Sequence, residues 1–279
     1  MQTMLLLGLL WAVLRISVPY VLTTLGGTVC ERSGVINIAL EGILLLSALG
    51  TALGAPHGVM SALFWGVFAG VATSLLYGLL VVVFRGDQIV CGVAIFMLAD
   101  GLSRYLLKVV FGSTSNSPRL LALEGQQPMW FLAIAVMATV MLHALFYHTP
   151  FGLRLRAVGD KPEAAEALSV SVVRVRLWAV GLSGLLTSLG GVYLVFDQRQ
   201  FVALMSGGRG FLSLAAMIFG GHRPVWGAAA ALLFASAEAT GIFLQAQGLR
   251  IPNWLLQAVP YALTLLTLLL RGLFRARRA

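Results

Sequence analysis

Charge is what this sequence lacks. Only 10% of its 279 residues are charged and 59% are hydrophobic, whereas a soluble domain carries about 25% charged residues. With so few charges the chain cannot cover its surface in water, so lipid is the solvent for most of it. Cysteine is scarce too. Cys30 and Cys91 match no metal spacing and lie near the ends of apolar stretches, where each reads as a small apolar residue. His57, His143, His148 and His222 are scattered without ligand spacing, so no metal site is expected. No G-x-x-x-x-G-K-[ST] run occurs, which excludes ATP binding through that loop. A paired acidic D-D-x-x-D motif and a nucleophile elbow are both missing, which weighs against a membrane-embedded enzyme. The n-region of a cleavable signal is missing as well, since the first positive charge, Arg15, falls inside the first apolar run.

Long apolar runs are what the chain has instead. They cover 4–29, 34–54, 58–84, 88–111, 129–147, 177–196, 224–245 and 252–270, and a span needs about 20 such residues. A ninth run, 210–221, has only 12 residues and is flanked by Gly207, Gly208, Gly220 and Gly221. Such breaks predict a short or discontinuous helix, tolerated where it lines a cavity or packs on protein. The expected fold is an all-α polytopic membrane bundle of 8–9 transmembrane helices with at least one discontinuous helix.

The net charge of +9 reflects the distribution of Arg and Lys between loops. With the N-terminus outside and all nine segments crossing, 12 basic residues fall on the cytoplasmic side: Arg32, Arg85, Arg154, Arg156, Lys161, Arg174, Arg176, Arg223, Arg271, Arg275, Arg277 and Arg278. The opposite side holds five: Lys108, Arg119, Arg199, Arg209 and Arg250. That asymmetry predicts the N-terminus out, the C-terminus in, and a crossing at 210–221. One internal echo exists, VLTTLGG at 21–27 and LLTSLGG at 185–191. Transporters often contain repeats, and Leu- and Gly-rich spans also produce such matches by chance.

The longest strongly polar stretch is 148–176, HTPFGLRLRAVGDKPEAAEALSVSVVRVR. Asp160 reads as a helix N-cap, Pro162 fits the first turn, and Glu163 completes a capping box. Ala164, Ala165, Ala167 and Leu168 then propagate a short helix, flanked by the basic pairs Arg154 with Arg156 and Arg174 with Arg176. An ordinary solvated linker has no need of such ordered punctuation, so a docking element is the sharper reading. In ERSGVINIALEG (31–42), Asn37 and Glu41 are four apart and would share one helical face. They either line a translocation path or hold the bundle together through interhelical hydrogen bonds. Arg85, Asp87 and Gln88 mark a cytoplasmic membrane boundary, and Asp100, Arg104 and Lys108 share one helical face, which favours a local ion-pair ladder over a proton relay. Arg15 and Glu238, single charges deep in spans, are candidates to pair with each other.

Several blocks taken together resemble a known family: LGGTVCERSGVINIALEG (25–42), FRGDQIVCGVAI (84–95), the 149–176 run, LSGLLTSLGGVYL (182–194) and GGRGFLSLAAMIFGGHRPVWGAAAALLF (207–234). They are similar to ABC importer permeases of the branched-chain amino acid and simple-sugar type, and within it to the nucleoside and simple-sugar branch. That branch carries ERSGVVNIGLEG-like and FRADQTVSGVAI-like runs, and the likeness covers most of the chain in order. The resemblance implies one permease domain over 1–279, with a coupling loop at 148–176 and a cytoplasmic tail at 271–279, in a bacterial inner membrane. It implies that Gly159, Asp160, Pro162, Glu163, Ala164, Ala165 and Leu168 form or support a helix that docks on a separate ATPase. By the same analogy Asn37, Glu41, Asp87, Gln88, Phe96, Gly208 and Arg209 belong to the translocation pathway. Expected partners are a second permease chain, an ATPase with two nucleotide sites that binds the ATP and Mg, and an extracytoplasmic lipoprotein receptor. The chain itself would carry no cofactor and no catalytic residue. Phe96 departs from the branch, which commonly reads AINMLA where this chain reads AIFMLA, and Asp100 stands where the family is usually apolar. GGHRP at 220–224 also differs, because the family usually has a shorter Gly followed by a basic or aromatic pair. The implied function is transport of a small polar solute, a nucleoside or simple sugar; an ion-coupled secondary transporter using Asp100, Glu238 and Arg15 is the alternative.

Overall fold

The computed structural model of the chain describes residues 2–123 and 128–246. The last apolar run, 252–270, and the tail at 271–279 lie outside the described residues, as does Arg250. The fold is all helical apart from an isolated antiparallel bridge between Asn116 and Val202. Seven described helices are long and apolar enough to cross a membrane.

Run length and punctuation explain most of the element boundaries. Helix α1 spans Gln2–Arg32 and tolerates Pro19 in its interior. The chain then breaks at 33–39, with Gly34 at φ 82. There the left-handed backbone suits a residue without a Cβ. Helix α2, Leu40–Gly54, begins where Asn37 Oδ1 accepts from Ala39 N at 3.1 Å. Helix α3, Val59–Gly78, runs into a π turn at Leu79–Val83. Asp87 caps α4, Gln88–Phe111, by accepting from Ile89 N and Val90 N at 2.9 Å each. Then come α5 (Trp130–His148), α6 (Pro150–Asp160), α7 (Pro162–Ala167), α8 (Val172–Gln198), α9 (Arg209–Phe219) and α10 (Pro224–Ala246).

Helices α1, α2 and α8 form the centre of the bundle, and α2 is buried along almost its whole length. Small residues let these backbones approach, as membrane helix packing requires. Hydroxyls complete the seams: Ser47 Oγ donates to Ser188 O and Ser74 Oγ to Val180 O, both at 2.7 Å. The outer helices α4 and α5 instead turn Val93, Met97, Val136 and Val140 outward, where lipid is the matching solvent.

The echo between 21–27 and 185–191 is structural. A Cβ on Gly26 would meet Thr187 Oγ1 and the Ser183 carbonyl, while one on Gly190 would meet Thr23 Oγ1 and Pro19. Each glycine thus faces the residues equivalent to those faced by the other. The same reciprocity extends outward, with α1 packed on α10 and α8 on α3. The two helices are antiparallel. Arg176 near the start of α8 donates to Ser33 O at 3.2 Å, and Asp197 near its end pairs with Arg15 at 2.7 Å. In both halves a long helix, a break and a discontinuous helix follow in order, so α2 is the counterpart of α9. This is an inverted repeat.

Helix α9 is about 16 Å long at 1.5 Å per residue, too short to span alone. The chain from 199 to 222 nevertheless traverses the bundle. It leaves the Arg15–Asp197 end of α8 and returns to the far end of α1, where His222 O accepts from Arg32 Nε at 2.8 Å.

Candidate coupling and translocation site

The 148–176 stretch is more ordered than a linker. Thr149 Oγ1 accepts from Gly152 N at 3.1 Å, Pro150 takes the first turn, and α6 follows. Gly152, Leu155 and Val158 are its buried side, and Arg154 is exposed. Arg156 lies over the Tyr147 ring at 5.3 Å, tying α6 back to α5.

Asp160 does not cap the next helix. It is the last residue of α6, and Lys161 stands at the N-cap of α7 without a side-chain capping bond. The reason is Pro162, whose ring disfavours helical backbone at the preceding residue. Lys161 is accordingly extended, at φ −147 and ψ 85, and the break falls there. Asp160, Glu163, Ala164 and Leu168 are exposed, Leu168 at 80%, while Ala165 is buried and Pro162 partly so.

Gly159 lies in close approach to the break between α1 and α2. A Cβ there would lie 2.3 Å from the Arg32 carbonyl oxygen and 3.2 Å from Gly34 N. With the Arg176–Ser33 and Arg32–His222 bonds, this contact joins α6, the α1–α2 break, α8 and the turn after α9 into one knot. The knot thus links α6, on which α7 follows, to the segments that precede α2 and follow α9.

The pathway candidates divide. Asn37 precedes α2, so the shared helical face expected for Asn37 and Glu41 does not form. Asn37 Nδ2 donates to Ser183 Oγ at 3.1 Å. Glu41, 2% exposed, accepts from Gly208 N at 2.8 Å and Gly210 N at 2.6 Å. Its carboxylate sits at the start of α9, where unpaired amides and the helix dipole favour negative charge. Gln88 Oε1 accepts from Ile36 N at 2.8 Å, and Tyr77 hydroxyl donates to Ile36 O. Asp87 is the α4 cap, and Phe96 meets the Phe211 ring edge-on at 5.7 Å. The structure gathers Glu41, Phe96, Gly208 and Arg209 around the α2, α4 and α9 seam. Asp87 and Gln88 stay at the boundary.

Arg15 and Glu238 do not pair with each other. Arg15 binds Asp197, and Glu238 binds Arg209 at 2.5 Å while accepting from the Tyr20 hydroxyl at 2.6 Å. Tyr20 lies 12 residues before Arg32 on α1, about 18 Å along the helix, so this cluster sits deep in the bundle beside the start of α9. Side-chain exposures of 17% for Arg209 and 21% for Glu238 make the pair costly to break from one side. Glu238→Ala is expected to destabilise the chain by about 3 kcal/mol, because an unpaired, largely buried guanidinium remains. Arg209→Met with Glu238→Leu should recover most of the thermal midpoint lost by the single variant. Equal losses in the two variants would contradict the pairing argument. Sequence reading missed Ser183 and Tyr77. Only Tyr77, a phenol late in an apolar run, carries any signal of its own.

The inverted repeat, its two short helices α2 and α9, and the exposed helix α7 joined to them through α6 belong to a polytopic helical membrane protein. The chain belongs to the family described as branched-chain amino acid transport system / permease component, which it matches over residues 9–268. It is an ABC transporter permease component, not an enzyme, and the class works with ATPase and binding-protein partners. It is 34% identical to the guanosine ABC transporter permease protein NupQ of Bacillus subtilis, over 92% of this chain and 89% of that one. It is 31% identical to the nucleoside ABC transporter permease protein NupC of Lactococcus lactis, over 91% and 89%. A putative glucose ABC transporter permease protein of Haloferax volcanii is 28% identical over 88% and 80%. No solved structure matches the chain significantly.

Proposed function

We propose that the chain is one of two permease subunits of a nucleoside importer in a bacterial inner membrane, with a simple sugar as the second choice of solute. The observation that supports the nucleoside reading most is the near full-length similarity to the guanosine and nucleoside permeases. A separate ATPase with two nucleotide sites binds the ATP and Mg, and a lipoprotein receptor delivers the solute. With Arg209 placed inside the bundle by its pair with Glu238, the basic residues divide 12 to four between the two sides, which supports an orientation with α6 and α7 in the cytoplasm.

Asp160, Glu163, Ala164 and Leu168 present the docking surface to the ATPase. Gly159, Pro162 and Ala165 seat that surface on the bundle. Closure of the ATPase pushes α7, and the knot at Gly159 tilts α2 and α9 against each other. A path along Asn37, Glu41, Phe96, Gly208 and Arg209, with Asp87 and Gln88 at its mouth, then opens to one side at a time. The ion-coupled alternative needs charges free to bind an ion. Arg15, Asp100 and Glu238 are instead each engaged, with Asp197, Arg104 and Arg209.

Introducing tryptophan at both Glu163 and Ala164 tests the docking role. Uptake is expected to fall to background while the chain stays in the membrane and the ATPase still turns over. Normal uptake would contradict it, and uptake by the purified chain alone under an ion gradient would favour the alternative. Direct binding of nucleosides and sugars to the receptor decides the solute.

A further inference from the structure

Beside the docking element lies a cleft of about 610 Å³ with a mixed polar and apolar lining. Arg154 from α6, Arg174 from α8 and the hydroxyls of Ser169 and Ser171 are its polar part. Phe151 and Trp178 are its aromatic part. No carboxylate lines the cleft, and among the described residues neither arginine has an ion pair. Trp178 is 71% exposed. From Ser171 to Trp178 the wall of α8 rises about 10 Å, passing from hydroxyl to guanidinium to indole. That order follows an amphiphile across a membrane interface, where tryptophan sits at headgroup level and arginine meets phosphate.

We infer that this cleft is a binding site for an anionic phospholipid. Arg154 and Arg174 hold the phosphate, Ser169 and Ser171 offer hydroxyls to the headgroup, and Phe151 and Trp178 carry the upper acyl chain. A free phosphate would use the arginines but gain nothing from Phe151 and Trp178. The acidic and small residues exposed on α7, Glu163, Ala164 and Glu166, do not line the cleft. Leu168, which belongs to the docking surface, does line it, so lipid and protein partner take adjoining faces that meet at Leu168. Because α7 ends at the cleft, an occupied site would brace the docking element against the membrane.

The test is native mass spectrometry of the full chain, delipidated in detergent and titrated with phosphatidylglycerol or phosphatidylcholine. The wild type is expected to retain phosphatidylglycerol selectively. Arg154→Gln with Arg174→Gln should bind it about thirty-fold more weakly, from about 1 kcal/mol for each basic residue near a charged membrane surface. Arg154→Lys with Arg174→Lys should restore most of the binding, and Arg85→Gln, another exposed arginine, should leave it unchanged. Equal retention of both lipids, or unaltered binding in the glutamine pair, would overturn the proposal. Displacement of the lipid by millimolar inorganic phosphate would make the cleft a free-anion site. Retained lipid with loss of ATPase copurification would assign the arginines to the protein partner instead. Failure of the lysine pair to restore binding would remove the charge argument.

Discussion

Glu41→Ala is expected to abolish solute accumulation by the assembled transporter and to lower the chain's thermal midpoint sharply. Glu41 is 2% exposed and accepts two backbone bonds from the start of α9, at 2.8 and 2.6 Å. Truncation leaves the buried Gly210 amide without an acceptor, at about 1–3 kcal/mol, and the part-buried Gly208 amide loses its acceptor as well. It also removes the charge opposite a helix N-terminus. Glu41→Gln separates the two effects. Its carbonyl oxygen can serve one amide, but its NH2 group confronts the other donor, so its midpoint should fall between wild type and alanine. Uptake normalised to membrane level, together with the midpoint in detergent, checks the order. A glutamine variant as damaging as alanine would show that charge outweighs hydrogen-bond count. A harmless alanine would show that Glu41 does not pin α9.

What the sequence discloses depends on the range of the interaction. The spans are legible because lipid imposes length and hydropathy on each helix separately. The boundary at Asp87 is legible from its charges, but its role as the α4 cap comes from the structure. Position 160 is a near miss of one residue, since both cap and break depend on Pro162 and its constraint on Lys161 was the stronger. Asn37 and Glu41 misled because a four-residue spacing implies one face only if the helix is continuous, and this one starts at Leu40. The partners of Arg15 and Glu238 were out of reach. Arg15 meets Asp197 across 182 positions, and no periodicity ties residues so far apart. The short helix at 210–221 was visible from its glycines. Its role as the inverted counterpart of α2 became visible only through the reciprocal contacts of Gly26 and Gly190.

Gly159→Val should uncouple the transporter without dislodging its ATPase. The predicted phenotype is sustained ATP turnover with uptake reduced by tenfold or more (about 1.4 kcal/mol or more on the transport step). The added Cβ would lie 2.3 Å from a backbone oxygen, that of Arg32, and close to Gly34 N. Neither can swing aside as a side chain would. Relief requires α6 to lift from the α1–α2 break, a strain of about 1–3 kcal/mol in packed regions. The exposed surface of α7 is untouched, so the ATPase still docks, but its motion no longer reaches α2 and α9 through the knot. Gly159→Ala should give the same defect in weaker form. Gly101→Val is the control, because a Cβ there meets nothing within 4 Å, and it should transport normally. The decisive measurement is solute moved per ATP hydrolysed in reconstituted vesicles. A normal ratio in Gly159→Val would mean that force from α7 reaches the spans by another route, with the Arg176–Ser33 bond the next contact to break.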